Sequence, residues 1–523
     1  MPLRALSRAF PLLATLLVAC ASPAPPAPVS TPPAPPPVSA GITPPAPPDP
    51  AAAALARLHV LMVNGGGKPE INFQTHLLHL KELRELLLGA GVAEGRMTIL
   101  SGDGPDPAPD LASRATTPGP DLHLIRGTRQ EDVLATPTVL VSSAIPGVAL
   151  GVADKAAITA YFERAAGSLR AGDTLLLYVT DHGRPNPADP SGNYIVLWNN
   201  ERLTVRDLGE LLDRLDPGVR VVALMSQCFS GAFASLALRE DGRARAPFCG
   251  YFSTTATRKA YGCYPEDNSS ERPGHSFQVF HALRATRSLA EAHLEALLGD
   301  ATPDAPLRTS DAYLNALLRK QAKQRQVPFE AFVDELLAAA AVDDPSVQPE
   351  RALADRIVQR YGLAAPRSFA YLTEHWKELP TLSIELDDSA RKLRRDWMAH
   401  AQANLSGFFT RHPEWRKRLG DAALPSLAGQ PDAARALAGP FIADLTADTS
   451  PAMRDRLADY RKRINGLTAA SYQADVRAGA SLRVRTLLAS LAGRVYLSNP
   501  KHNATPAERA GWEALRTCED LRW

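Results

Sequence analysis

The chain has 523 residues, 45% of them hydrophobic, and a formal net charge of +2. That length allows two or more domains with sizeable cores, and so balanced a charge gives no basis for binding nucleic acid or an acidic partner.

In chain order, Arg4 and Arg8 come first, followed by a short apolar run over residues 9–19. A spanning helix needs about 20 apolar residues, so this run reads as a cleaved export signal. It ends in Leu17-Val18-Ala19-Cys20, which resembles the lipobox of bacterial lipoproteins. The resemblance implies lipidation of Cys20 and membrane attachment through its acyl chains. With Ala21 next, it also implies the outer membrane of a Gram-negative cell. Residues 1–20 are therefore expected to be a lipoprotein signal peptide. Residues 21–55 are rich in Pro and Ala, cannot bury a core, and read as a stiff extended tether.

From residue 56 to 304 strand and helix patterns alternate. Apolar runs predict strands at 58–63, 97–100, 175–180 and 219–225, and leucines at helical spacing predict a helix over 75–89. Further helices are expected over 154–167 and 204–215, the second opened by the capping sequence Thr204-Val205-Arg206-Asp207. Alternation of this kind predicts an α/β domain with a mainly parallel sheet. From 305 to 523 the segments are long, rich in Ala, Leu, Arg and Glu, and helical in period, for example over 312–325, 329–341, 391–403 and 477–491. Prolines 425, 431 and 440 punctuate them. This predicts a separate all-α domain of unknown role.

In parallel sheets, ligands bind beyond the carboxyl ends of the strands. Two polar clusters are expected there, Asp181-His182-Gly183 after one strand and Ser226-Gln227-Cys228-Phe229-Ser230-Gly231 after another. A His and a Cys on one rim are the elements of thiol catalysis. The imidazole takes the thiol proton and later gives one to the leaving amine, and a turn into a helix favours the thiolate. An exported chain can form disulfides; of Cys20, Cys228, Cys249, Cys263 and Cys518, the expected pair is Cys249 with Cys263, leaving Cys228 and Cys518 as thiols. Gly65-Gly66-Gly67 lacks the Lys-Ser/Thr of a phosphate loop and reads as a plain loop. His76 and His79 lie three apart among leucines, and no metal site or cofactor is expected.

Tyr178-Val179-Thr180-Asp181-His182-Gly183, the segment from Trp198 on through Leu208, the strand and turn ending Cys228-Phe229-Ser230-Gly231, and Ala260-Tyr261-Gly262-Cys263-Tyr264 occur in an order that resembles legumain, the asparaginyl endopeptidase. The His-Gly and Cys-x-x-Gly signatures are shared by caspases and gingipain-like enzymes. The likeness covers roughly residues 56–295. It implies a caspase-like three-layer domain and a cysteine endopeptidase acting on a peptide or protein substrate. His182 would be general base and acid and Cys228 the nucleophile, with the N–H groups of Gly183 and Cys228 forming the oxyanion hole. Asn72 falls where legumains have an Asn that helps orient the His. The substrate-pocket positions depart from the legumain pattern: Ser226 replaces an acid, Gln74 an Arg, and His275 falls near a missing Asp. The asparaginyl pocket is therefore not reproduced, and Glu266 and Asp267 are the acids nearest in sequence. A transpeptidase or ligase on the same fold, or a non-catalytic scaffold displaying the helical domain, are the alternatives.

Overall fold

The computed structural model describes residues 54–115, 119, 121–238, 247–267, 273–340 and 348–523. The expected signal, the lipidation at Cys20 and nearly all of the tether lie outside them. No described helix is long and apolar enough to cross a membrane.

Six strands form the central sheet: β1 (Leu58–Asn64), β2 (Met97–Ser101), β3 (Thr174–Val179), β4 (Arg220–Met225), β5 (Phe248–Phe252) and β6 (Leu307–Arg308). Their order is β6-β5-β4-β3-β1-β2. All pair in parallel except β6, which runs antiparallel at the edge. Every residue of β3 is buried, as helices on both faces require, and this is why it reads as an unbroken apolar run. The sheet and the helical C-terminal region make the chain α/β. β5 escaped the sequence reading because its five residues carry Gly250, which weakens a strand signal. Gly250 is needed there, since a Cβ would lie 2.6 Å from the Ala223 carbonyl oxygen.

Five helices flank the sheet: α1 (Gln74–Gly89), α2 (Lys155–Ser168), α3 (Val205–Leu212), α4 (His275–Thr286) and α5 (Leu289–Gly299). Asp154 caps α2 by accepting the Ala157 N–H. Thr204 and Asp207 form the reciprocal capping box of α3. The principal later helices are α6 (Thr309–Gln324), α7 (Phe329–Ala339), α8 (Gln348–Arg360), α9 (Glu378–Arg411), α10 (Pro431–Asp448), α11 (Pro451–Ser498) and α12 (Pro506–Glu519). Pro440 sits inside α10 without ending it.

The hydrophobic cores do not part at residue 304. The main core joins the sheet to α6, α7, α8 and the second half of α11, including Val484, Leu487 and Leu491. A second core gathers Trp397, Phe408, Phe441 and Tyr460 around Leu124, Ile125 and Leu134. α11 has 48 residues, about 72 Å of helix at 1.5 Å per residue, and contributes to both cores. The described residues all lie in one compact unit.

The disulfide is Cys249–Cys518, with Cα atoms 5.9 Å apart. This corrects the expected Cys249–Cys263 pair and leaves Cys263, not Cys518, as a thiol beside Cys228. The sheet order brings β5 against α12, and a pairing across 269 residues has no local signature in sequence.

Candidate active site

Strand order reverses between β1 and β3, since β1 continues outward to β2 while β3 continues to β4 and β5. Loops leaving the carboxyl ends of β1 and β3 therefore diverge, and in open parallel sheets ligands bind at such a point. His182 follows β3, Cys228 follows the adjacent β4, and Gly65 to Asn72 follow β1.

The buried Asp181 carboxylate accepts the N–H groups of Gly65 (2.5 Å), Gly66 (3.1 Å) and His182 (2.5 Å). It ties the β1 loop to the β3 loop. A Cβ on Gly65 would lie 2.3 Å from the Val196 carbonyl oxygen and 2.5 Å from Asp181 Oδ2. The glycine run is thus a donor turn that wraps a carboxylate, where sequence gave only a plain loop.

His182 Nε2 lies 2.7 Å from the Ile71 carbonyl oxygen. A carbonyl only accepts, so Nε2 carries the hydrogen and Nδ1 keeps its lone pair in the neutral ring. The ring stands edge-on between Phe73 and His76, each 5.4 Å away between centroids. Burial lowers its pKa from the ordinary histidine value and favours the neutral base.

Asn72 does not touch His182 through its side chain, contrary to the role the legumain likeness implies. It is fully buried, accepts from Asn64 Nδ2 (2.8 Å) and donates to the Asp110 carbonyl oxygen (3.0 Å). Its effect is to fix the turn whose preceding carbonyl, that of Ile71, holds the imidazole.

Cys228 ends the turn after β4. The next residue, Phe229, has φ 61° and ψ 17°, a left-handed conformation costly for a bulky side chain. Its N–H is held by the Arg258 carbonyl oxygen at 2.9 Å. The Ala260 N–H donates to Cys228 Sγ at 3.3 Å. A hydrogen bond from Cys263 is the largest influence on the Cys228 thiol. With the Ala260 N–H, the Lys259 charge and the Gly183 N–H it outweighs burial and pushes the pKa down to about 6. Gly183 packs against Cys228 so closely that a Cβ would fall 1.8 Å from the Cys228 carbonyl oxygen. This contact accounts for the His-Gly pairing.

No hydrogen bond joins His182 to Cys228. Cys263 neighbours both: its thiol bonds Cys228, and its sulfur lies within 4.8 Å of ligand atoms of His182 and His76. Sequence reasoning missed it by placing it in a disulfide. The signal available was its position in the loop segment that resembles legumain.

The expected pocket residues have different partners. Gln74, partly buried at the start of α1, has a side-chain oxygen with no partner. The Ser226 hydroxyl donates to the Val179 carbonyl oxygen at 3.1 Å. His275 is 1% exposed and faces His293, with ring centroids 6.3 Å apart. It belongs to the core and not to a pocket wall. Glu266 pairs with Arg114 at 3.2 Å.

No family model matches the chain, and no curated protein matches it. Among solved structures it is similar to protein GSU0716 from Geobacter sulfurreducens, at 12% identity and a TM-score of 0.31, covering 48% of this chain and 92% of that one.

Proposed function

We propose that this chain is a cysteine endopeptidase with a caspase-like fold, similar to legumains, that cuts peptide bonds through a thioester on Cys228. We further propose that it is held to the outer membrane of a Gram-negative cell by lipid on Cys20. The observation that carries the peptidase reading is a convergence at one switch point. A thiol inclined to ionise, two N–H groups on its sulfur and an imidazole committed through Nε2 to a carbonyl meet there.

With Nδ1 unprotonated, His182 takes the Cys228 proton, and Sγ bonds to the substrate carbonyl carbon. The electron pair of the C=O bond moves to oxygen, which the N–H groups of Gly183 and Cys228 receive. Collapse breaks the C–N bond as His182 returns the proton to the departing amine. Water deprotonated by His182 then attacks the thioester and frees the thiol. Catalytic hydrogen bonds are often long in free enzymes and tighten with substrate.

Loop 258–263 lies over the nucleophile and is latched from the helical region. Arg258 Nη2 bonds Asp475 Oδ1 of α11 at 2.5 Å, and Tyr261 rests on Tyr472 with centroids 6.1 Å apart. Arg483, 0% exposed, donates to the carbonyl oxygens of Leu297, Asp300, Thr302 and Asp304. Asp304 in turn accepts the N–H of Tyr261 at 2.6 Å. This network supports a gating role for α11.

The test incubates residues 49–523, with and without Cys228→Ala, with a diverse peptide library read by mass spectrometry. Cleavage by the parent that vanishes in the variant is the expected result. Products joined to an added amine would identify a transpeptidase or ligase. No cleavage by the parent, even with the Asp475 latch removed, would overturn the proposal and leave a non-catalytic scaffold.

A further inference from the structure

Three side chains at the catalytic rim meet in a way that peptide hydrolysis does not need. One ligand atom each from His76, His182 and Cys263 lie within 4.8 Å of one another. His76 is 2% exposed, and its Nε2 has no hydrogen-bond partner. Its Nδ1 is 3.1 Å from Thr180 Oγ1, and the same hydroxyl is 2.7 Å from His79 Nδ1. One hydroxyl has one hydrogen to give. If it is spent on His79 at the shorter distance, His76 must donate from Nδ1, which leaves the Nε2 lone pair bare. His182 repeats the logic from the other side, with Nε2–H held by the Ile71 carbonyl and Nδ1 left with its lone pair. Both rings thus carry the outer partner that metal-binding imidazoles use to fix tautomer and direction. Two neutral imidazoles and a thiol are a soft nitrogen and sulfur set, suited to Zn²⁺ and poor for Mg²⁺ or Ca²⁺.

We propose that His76, His182 and Cys263 form a binding site for a soft divalent cation, Zn²⁺ above all, with a fourth position open to water. Ligand atoms around tetrahedral zinc sit about 3.3–3.8 Å apart, given bonds of about 2.0–2.3 Å. Closure by about an ångström completes the site. Binding replaces the proton on Cys263 Sγ, which leaves to solvent. On the peptidase reading above, the bound ion also occupies the His182 lone pair and silences the enzyme. The binding itself does not rest on that reading.

The experiment uses residues 49–523 with Cys228 and Cys263 reduced. Zn²⁺ is titrated against a chromophoric chelator, and Co²⁺ serves as a spectroscopic probe. The expected result is one ion per chain and a thiolate-to-cobalt charge-transfer band. Cys263→Ser should remove that band, Cys263→Ser and His76→Gln should each weaken Zn²⁺ binding at least tenfold, and Cys228→Ala should keep the band. Should His76→Gln unfold the chain, Cys263→Ser in its surface loop and Thr180→Val carry the same test. A wild-type chain that binds no ion, or a Cys263→Ser chain that binds as wild type does, would overturn the site. Since these readings need no catalysis, a chain that binds zinc but cuts nothing would defeat the peptidase reading and leave the site standing. Cleavage without zinc binding would do the reverse.

Discussion

The rim of the sheet and the second helical core are built on opposite plans. The helical core around Trp397, Phe408 and Phe441 rests on apolar residues repeated at helical spacing, each replaceable by a neighbour of similar volume. The rim rests on single contacts with no such tolerance: the left-handed Phe229, the Gly183 face on Cys228, and a carboxylate shared among three N–H groups. Periodic structure is tolerant and close backbone contact is not. The proposed chemistry therefore sits where substitution does most harm.

Helix α11 runs from the second core to the rim and meets it at Arg483, which gives the largest expected effect. Arg483→Met would leave the four carbonyls it serves unpaired, and should cost about 3–5 kcal/mol in urea unfolding. It should also loosen loop 258–263 through Asp304. A loss below about 1 kcal/mol would mean that the helical region and the rim are not joined there. At the rim itself, Gly183→Ala pushes a methyl into the Cys228 carbonyl. It should lower kcat/KM for any cleaved peptide about 100-fold, as small misplacements do, while a conservative change in the second core, Leu405→Met, should leave kcat/KM within about twofold. Equal effects would erase the contrast between the regions.

Smaller effects sharpen the picture. Cys263→Ala removes the largest influence that lowers the Cys228 pKa. The thiolate loses stabilisation, so its titration moves upward toward the ordinary thiol value of about 8.5, and alkylation at pH 6.5 should slow about tenfold. The Arg258–Asp475 pair is partly exposed, so Asp475→Ala should change stability by less than about 1 kcal/mol. It should nevertheless raise the alkylation rate of Cys228 if α11 holds the loop closed.

The α/β class, four of the sheet strands and the His182 and Cys228 positions were legible in the sequence, because buried parallel strands leave unbroken apolar runs and their ends carry polar residues. What remained hidden depends on tertiary pairing. The Cys249–Cys518 bond and the Ile71 carbonyl behind His182 have no local signal. A backbone oxygen carries no residue identity at all, so sequence reasoning assigned its role to the adjacent Asn72. His275 falls near the position of a legumain pocket Asp, yet packing of α4 turns it inward against His293. The expected break near residue 304 marked a change in composition, not an end of the core.

The proposed peptidase requires Cys228 to be an activated nucleophile. The most direct measurement is the alkylation rate of each free thiol in the full chain from pH 5 to 9, resolved by mass spectrometry. A depressed pKa means that the thiolate persists above about pH 6 and is lost below it. Cys228 should therefore label with a midpoint near 6 and far faster than Cys263 at neutral pH. A midpoint between 8 and 9, with Cys228 no faster than Cys263, would contradict the account.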